Sequence, residues 1–286
     1  MDAAFAAGAG LAALDAIVRA EPAFAGVWRQ RQALAAAAAT LRLMGRREDE
    51  AALRDAWCFR DPGGDPGPSG QILALWRQLA QRSTDWSAKT MAQAAAALGV
   101  DLQGRAAAIV ALLDTAVPHE GSALTAVATF VSTVVDRFAD AELLALLLAD
   151  RVLADKMLWP VPVPLLMTQI NNPLLRSGEP RRRPRPGEGD WPRTIATAYA
   201  LAATAAGERA VEFERRAAML QAAVPKLRAK GAEKVVAALL DEDALTPAMA
   251  SGPMSDRALR RLFDRLVELG AVRELSGRPT FRLYGL

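Results

Sequence analysis

The chain ends in a segment where the spacing of apolar residues changes from a helical to a strand pattern. Over residues 256–269 apolar side chains recur at intervals of three and four, and after Gly270 they alternate. Ser255 and Asp256 are typical of a helix start, and Gly270 is typical of the residue that follows a helix end. The sequence therefore predicts one helix over residues 256–269, followed by a β-hairpin.

The predicted helix has two opposite faces. At about 100° per residue, apolar side chains fall on one arc and charged side chains on the other. The apolar arc consists of Leu259, Leu262, Phe263, Leu266, Val267 and Leu269. The charged arc consists of Arg257, Arg260, Arg261, Asp264, Arg265 and Glu268. We expect the first arc to pack against the protein and the second to face outward.

The hairpin and the segment before the helix complete a recognisable order of elements. Strands are predicted over residues 272–275 and 280–284, joined by a turn at Ser276 and Gly277. Upstream, residues 233–240 form a first predicted helix, and Thr246 starts a second, short one. Helix, short helix, turn, long helix and hairpin is the order of a winged helix-turn-helix.

The rest of the chain is predicted to be helical. Of all residues, 52% are hydrophobic but only 6% aromatic, because the apolar share is mostly Ala and Leu, which favour helices. No segment has the roughly 18 uninterrupted apolar residues of a membrane span, and residues 123–135 come nearest. The amino terminus lacks the basic region of a secretory signal, and the single Cys58 excludes an internal disulfide. We expect an all-α cytoplasmic protein with one small hairpin and no membrane partner.

A change of composition divides the chain. Residues 1–176 are predicted to be a helical domain, residues 177–192 a Pro/Arg-rich linker, and residues 193–286 a helical connector with the winged helix-turn-helix. The last of these three segments carries fifteen basic against eleven acidic residues, whereas the first carries sixteen against eighteen. The positive charge lies where nucleic acid would bind.

This distribution favours duplex DNA as a partner. The predicted DNA-binding residues are the arginines of the long helix and of the wing, namely Arg257, Arg260, Arg261, Arg265, Arg273, Arg278 and Arg282. A flexible basic arm in the linker is a second candidate, formed by Arg181, Arg182, Arg183 and Arg185. The alternatives remain open: acidic neighbours can neutralise the helix arginines, the winged helix can dock protein, and the linker can be a solubilising segment.

The candidates for catalysis and metal binding are weak. His119 lies in a predicted interhelical turn beside Glu120, where a structural role is the more common one. Asp61 and Asp65 offer oxygen ligands, but no third carboxylate follows at calcium-loop spacing. Cys58 is expected to be buried. We therefore predict no enzyme, no catalytic residues, no metal and no cofactor.

Three segments carry a family resemblance. They are GRREDEAALRDA (residues 45–56), RDPGGDPGPSG (residues 60–70) and residues 255–286. Over nearly its full length the chain resembles the domain-of-unknown-function 1403 family of proteobacterial proteins. The resemblance implies plasmid maintenance and a relative of segregation and condensation protein B as a partner, and it implies no activity. The carboxyl terminus is also similar to the winged helix that ends Fic-type proteins, but their active-site motif is absent.

Together these observations predict a non-enzymatic DNA-binding protein of replicon maintenance, segregation or transcription regulation, associated with the nucleoid. Its helical domain is expected to form a homodimer or bind a partner. The rival hypothesis is a kleisin-like interaction subunit, or a partner within a segregation complex, whose winged helix docks protein.

Overall fold

The computed structural model describes residues 2–61, 63–81, 85–116, 121–227, 229, 231–250 and 254–286. Within them the chain forms twelve α-helices and one two-stranded sheet, so the predicted all-α class is confirmed. The helices are α1 Ala3–Ala20, α2 Ala25–Leu43, α3 Glu50–Cys58, α4 Gly67–Leu79, α5 Ala88–Ala97, α6 Ala106–Thr115, α7 Ala123–Arg137, α8 Glu142–Met157, α9 Leu166–Gln169, α10 Trp191–Ala223, α11 Ala232–Asp241 and α12 Asp256–Glu268. The strands are β1 Arg273–Glu274 and β2 Tyr284–Gly285.

Side-chain caps fix where several helices begin. The Asp49 carboxylate accepts a hydrogen bond from the Ala52 amide at 2.9 Å, which starts α3. The hydroxyl of Ser122 does the same for α7, with the Thr125 amide at 3.1 Å. The sequence predicts that Ser69 caps a helix over residues 71–82, but α4 begins at Gly67, and the Ser69 hydroxyl donates to Glu48 instead.

Helix α10 runs unbroken for 33 residues, although the sequence predicts two helices here, over about residues 193–206 and 208–223. The expected break was at Gly207, because glycine in a helix costs about 1 kcal/mol relative to alanine. Packing outweighs that cost: α10 lies along α1, and Gly10 of α1 lies so close that an added Cβ would sit 2.8 Å from the Ala203 Cβ. Small residues on both helices therefore let α10 pack closely along α1.

One hydrophobic core extends from α1 to the carboxyl terminus. Its buried members run from Ala7 to Leu286, so residues on both sides of the linker contribute to the same core. The Trp28 indole of α2, for example, donates a hydrogen bond to the Ala206 carbonyl of α10 at 3.0 Å. The division into domains 1–176 and 193–286 stays a prediction that proteolysis can test.

Helix α1 is the described helix that is long and apolar enough to cross a membrane. The sequence had suggested residues 123–135 as the nearest candidate, but those residues form α7, which is shorter. By length and composition alone this is weak evidence, because core helices and signal sequences meet the same criterion. In this structure four side chains of α1 are buried, namely Ala7, Leu11, Leu14 and Val18.

Candidate nucleic-acid interface

Helix α12 begins one residue after its cap and buries one face. The Ser255 hydroxyl accepts a hydrogen bond from the Ala258 amide at 3.4 Å, and the helix ends before Gly270, whose φ of +67° is left-handed. The buried side chains are Leu259, Leu262, Phe263 and Leu266. Val267 was assigned to the same arc but is 38% exposed, because it lies at the edge of that arc. The opposite face of the helix is therefore left to solvent.

The sheet beside α12 is shorter than predicted. Arg273 pairs with Gly285 and Glu274 with Tyr284, and the Leu275 amide donates to the Leu283 carbonyl at 2.7 Å. The second strand does not start at residue 280, because Phe281 has a left-handed φ of +54° that interrupts extended backbone. Residues 276–282 thus form a loop, which we call the wing loop.

Two contacts attach this sheet to the helices. The rings of Phe263 and Tyr284 stack with centroids 4.5 Å apart and planes 17° from parallel. Leu245, which follows α11, forms an isolated antiparallel bridge with Tyr284. Between α11 and α12, the Thr246 hydroxyl accepts a hydrogen bond from the Met249 amide at 3.1 Å and starts a single turn. Residues 247–250, where a short helix was predicted, form a turn, and residues 251–253 lie outside the described residues.

The four arginines of α12 are all exposed, but their partners differ. Arg260 lies 3.6 Å from Asp256, and Arg265 lies 3.0 Å from Glu268. No ion pair joins Arg257 or Arg261 to any residue of the described part of the chain. The pairing by acidic neighbours that the sequence left open therefore occurs at two of the four positions.

The arginines of the sheet and wing loop are held by carboxylates. Arg273 lies 3.2 Å from Glu212 of α10, and Arg282 lies 3.7 Å from Asp264 of α12. Arg278 donates to Asp55 of α3, a helix more than 200 residues away in sequence. The predicted DNA-binding arginines of this region are thus close to acidic groups, and one of them contacts the amino-terminal helices.

Aromatic side chains extend the contact between the wing loop and α3. The Phe281 ring meets the Phe59 ring edge to face, with centroids 5.6 Å apart, and the Arg278 guanidinium lies 5.7 Å from the Phe59 centroid. Both rings remain partly exposed, Phe281 by 71% and Phe59 by 37%. The wing loop therefore rests on α3 through a small, solvent-accessible contact that the sequence did not predict.

The predicted basic arm is a structured loop, and its arginines have different hydrogen-bond partners. Arg182 forms two hydrogen bonds of 2.8 Å with Glu188, which hold the pKa of that carboxyl at about 2. Arg183 donates to Glu142 of α8, and Arg181 donates to the Arg176 carbonyl at 3.4 Å. Arg185 keeps its side chain exposed. Two of the four guanidinium groups thus already have carboxylate partners.

A buried charge network joins the carboxyl-terminal segment to the amino-terminal helices. Asp243, 6% exposed, accepts hydrogen bonds from Arg31 of α2 and from Arg54 of α3, the second at 2.6 Å. Burial acts to raise the pKa of Asp243, but the two guanidinium groups outweigh it and hold this pKa below its ordinary value. Next to it, Arg77 donates to Glu242 at 2.7 Å. We call these five residues the charged junction.

The sequence did not reveal the charged junction. Its members come from four separate segments of the chain. The one local signal is that Asp243 lies in an acidic run at the end of α11, outside the apolar periodicity of that helix. Such a signal does not indicate which basic residues will meet the carboxylate. The contacts become visible only when the helices are packed.

Two of the residues considered for catalysis or metal binding, Cys58 and Asp65, have other roles in the structure. Burial raises the pKa of the Cys58 thiol to about 12, and this thiol donates to the Ala244 carbonyl at 3.6 Å. The Asp65 carboxylate accepts the Gly67 amide at 2.9 Å and the Gln71 side chain at 3.2 Å, and so shapes its own loop. His119 and Glu120 lie outside the described residues.

A family model described as "Protein of unknown function (DUF1403)" matches residues 1–286, which is the whole chain. The chain belongs to the DUF1403 family. The resemblance found in the sequence is thereby confirmed. A search of curated proteins found no match. The function of this DUF1403 protein must therefore be argued from its own residues.

Proposed function

We propose that residues 232–286 of this DUF1403 protein are a winged helix-turn-helix that binds duplex DNA without catalysis. The observation that carries the proposal is that α12 has one apolar, buried face and one basic, exposed face. One face buries Leu259, Leu262 and Phe263, while Arg257 and Arg261 on the other face are exposed and have no ion-pair partner in the described residues. Unpaired guanidinium groups on an accessible helix face are available to an anionic ligand.

The order and pairing of the elements support this proposal. Helix α11, the turn after Thr246, helix α12 and the two strands follow one another as in a winged helix-turn-helix, and Leu245 adds a bridge to the sheet. In that arrangement the amino-terminal half of the second long helix enters the major groove. Arg257 and Arg261 lie in that half of α12, one helical turn apart, where arginine can reach guanine edges or phosphates.

The remaining helices would then serve assembly. We propose that α1 to α9 mediate homodimer formation or bind a partner, for which the family resemblance suggests a relative of segregation and condensation protein B. The biological setting would be replicon maintenance, segregation or transcription regulation in the cytoplasm. Co-purification from the native host tests the partner, and analytical ultracentrifugation tests the dimer.

One observation favours protein docking as a second candidate function. The wing loop already contacts another part of this chain, because Arg278 lies against Asp55 of α3 and Phe281 lies against Phe59, the residue after α3. A winged helix that uses its wing in this way has less basic surface left for DNA. In this alternative α12 also contacts a protein, and its arginines pair with carboxylates of that partner.

Charge reversal on α12 tests the proposal. We expect Arg257→Glu with Arg261→Glu to abolish binding of a labelled duplex at moderate salt, while thermal melting is unchanged because the buried face is intact. The matched control is Lys89→Glu with Arg193→Glu, which changes net charge equally at exposed first-turn positions of α5 and α10. Equally weakened binding in both variants, or normal binding by the α12 variant, would contradict the proposal and favour protein docking.

A further inference from the structure

Arginines of α10 and β1 converge on one carboxylate. Arg209, Glu212 and Arg216 share a face of α10 because they are three and four residues apart. Arg216 donates to Glu212 Oε1 at 2.9 Å, and the Arg273 guanidinium lies 3.2 Å from the same oxygen. Arg215 is exposed beside them. We call Arg209, Arg215, Arg216 and Arg273 the arginine cluster.

The arginine cluster contains more cations than its neighbours neutralise. Arg209 donates to the neutral side-chain oxygen of Gln32, and Arg215 donates to the Met219 sulfur at 3.8 Å. Among the described residues, Glu212 is the one carboxylate within ion-pair distance of any cluster member. The four guanidinium groups therefore have one carboxylate at ion-pair distance, while Glu50 and Asp243 act on Arg209 from farther away.

The surroundings weaken the charge of one cluster member and add an unused donor. Burial lowers the pKa of Arg273, and the neighbouring Arg216 lowers it further. Arg31 of α2 lies behind the cluster, with its guanidinium 5.3 Å from the Phe213 ring centroid. Its Nη2 atom is buried and has no hydrogen-bond partner among the described residues. An excess of cations with an unsatisfied donor is the arrangement that an oxyanion would complete.

The arginine cluster is continuous with α12. A Cβ at Gly270, just after α12, would lie 3.6 Å from the Met219 methyl group, so this part of α10 borders the carboxyl-terminal end of α12. From Arg261 to Glu268, the last residue of α12, the helix rises by about 10.5 Å at 1.5 Å per residue. That length is close to the width of the major groove, about 12 Å. A helix with its first half in the groove therefore directs its other end towards a flanking phosphate backbone.

We propose that the arginine cluster binds a backbone phosphate of the DNA duplex that α12 contacts. This inference rests on the proposed function, and it extends the interface from the winged helix-turn-helix to α10. Because a phosphate carries no sequence information, the cluster would position the duplex and would strengthen binding to all sequences alike.

The salt dependence of binding by the full chain tests this inference. Removing one arginine–phosphate contact should reduce the magnitude of the slope of log K against log salt by about 0.9, so we expect this change in Arg215→Ala and in Arg273→Ala. Glu212→Gln should tighten DNA binding, because it removes the carboxylate that competes with the phosphate for the arginines. Lys89→Ala is the control that should leave the slope unchanged. Melting curves of each variant confirm that folding is retained.

The possible failures can be told apart. If Arg215→Ala and Arg273→Ala leave the slope unchanged while reversal of Arg257 and Arg261 abolishes binding, this inference is wrong and the proposed function stands. If the parent chain binds no duplex, both are wrong. A third outcome combines two results. Inorganic phosphate raises the melting temperature of the parent at constant ionic strength, and Arg273→Ala removes that effect without changing DNA binding. The cluster is then a small-anion site, and its assignment to DNA is overturned.

Discussion

Among the described residues two aspartates are buried, each in a different region, and their surroundings shift their pKa values in opposite directions. Asp150, in the core between α8 and α10, accepts hydrogen bonds from the Leu165 and Leu166 amides and from the Tyr199 hydroxyl. These donors are neutral, and burial raises the pKa of Asp150 to about 7. Asp243, in the charged junction, is paired with two guanidinium groups, and its pKa is lowered.

The comparison shows that the charge of the partners, and not burial itself, decides whether a buried carboxyl is ionised. It also separates two ways of holding helices together. The region of Asp150 is held by apolar packing with a few neutral hydrogen bonds, whereas the carboxyl-terminal segment shares the hydrophobic core and is in addition joined to α2 and α3 by buried charge. Only the second should fail when one charge is removed.

The largest effect is expected for Asp243→Ala. This change leaves Arg31 and Arg54 buried without their carboxylate, and breaking such a pair costs about 3–5 kcal/mol of unfolding free energy. Chemical denaturation measures it. Replacing all three residues together, as Arg31→Met, Arg54→Met and Asp243→Leu, should recover most of the stability. If the triple variant is as unstable as Asp243→Ala, unpaired charge is not the cause.

The second prediction concerns pH. The folded pKa of Asp150 lies above its ordinary value of 3.8, so its contribution to stability is present below that value and is lost as pH rises through about 7. Between these two pKa values, each rise of one pH unit should lower the unfolding free energy by about 1.4 kcal/mol at most. We expect Asp150→Asn to remove this pH dependence from thermal melts between pH 5 and about 7. An identical pH profile in variant and parent would contradict the assignment.

Asp243 should show the opposite sign. Because its pKa is lowered, its stabilising contribution is present above the ordinary value and is lost as pH falls through the folded one. Acid unfolding should therefore begin at the charged junction, with release of the carboxyl-terminal segment. Hydrogen exchange at low pH, compared between α11 and α8, measures the order of opening. Earlier opening at α8 would argue against this order of unfolding.

The smallest effect is expected at the wing loop. The pair of Arg278 and Asp55 is largely exposed, with side chains 42% and 36% accessible, so Asp55→Ala should cost only about 0.2–1 kcal/mol. It should nevertheless free Arg278 for a ligand and tighten DNA binding. Asp136→Ala, at an exposed aspartate of α7, is the control for the change in net charge.

The sequence predicted best where one local pattern determined the structure. Helix α12 was found from its apolar period, the Ser255 cap and Gly270, which lie within sixteen residues of one another. The helical class followed from the Ala- and Leu-rich composition. The continuity of α10 through Gly207 was missed, because it depends on packing against α1, and local propensity alone argued for a break.

The candidate site was only partly predictable. Exposure of Arg257 and Arg261 followed from the helical period, but the partners of Arg273 and Arg278 lie in α10 and α3, and no local pattern indicates them. The same holds for Asp243, whose guanidinium partners are 189 residues or more away in sequence. Long-range ion pairs depend on the packed arrangement of helices, which one sequence does not reveal.

The central claim is that α12 presents unpaired arginines to duplex DNA. The most direct test is binding of a fluorescent duplex to the full-length parent chain, followed by anisotropy from low to moderate salt. The account predicts saturable binding whose log K falls linearly with log salt, with a slope of about −0.9 for each phosphate contacted. Absence of binding at low salt, or binding that does not change with salt, would contradict it.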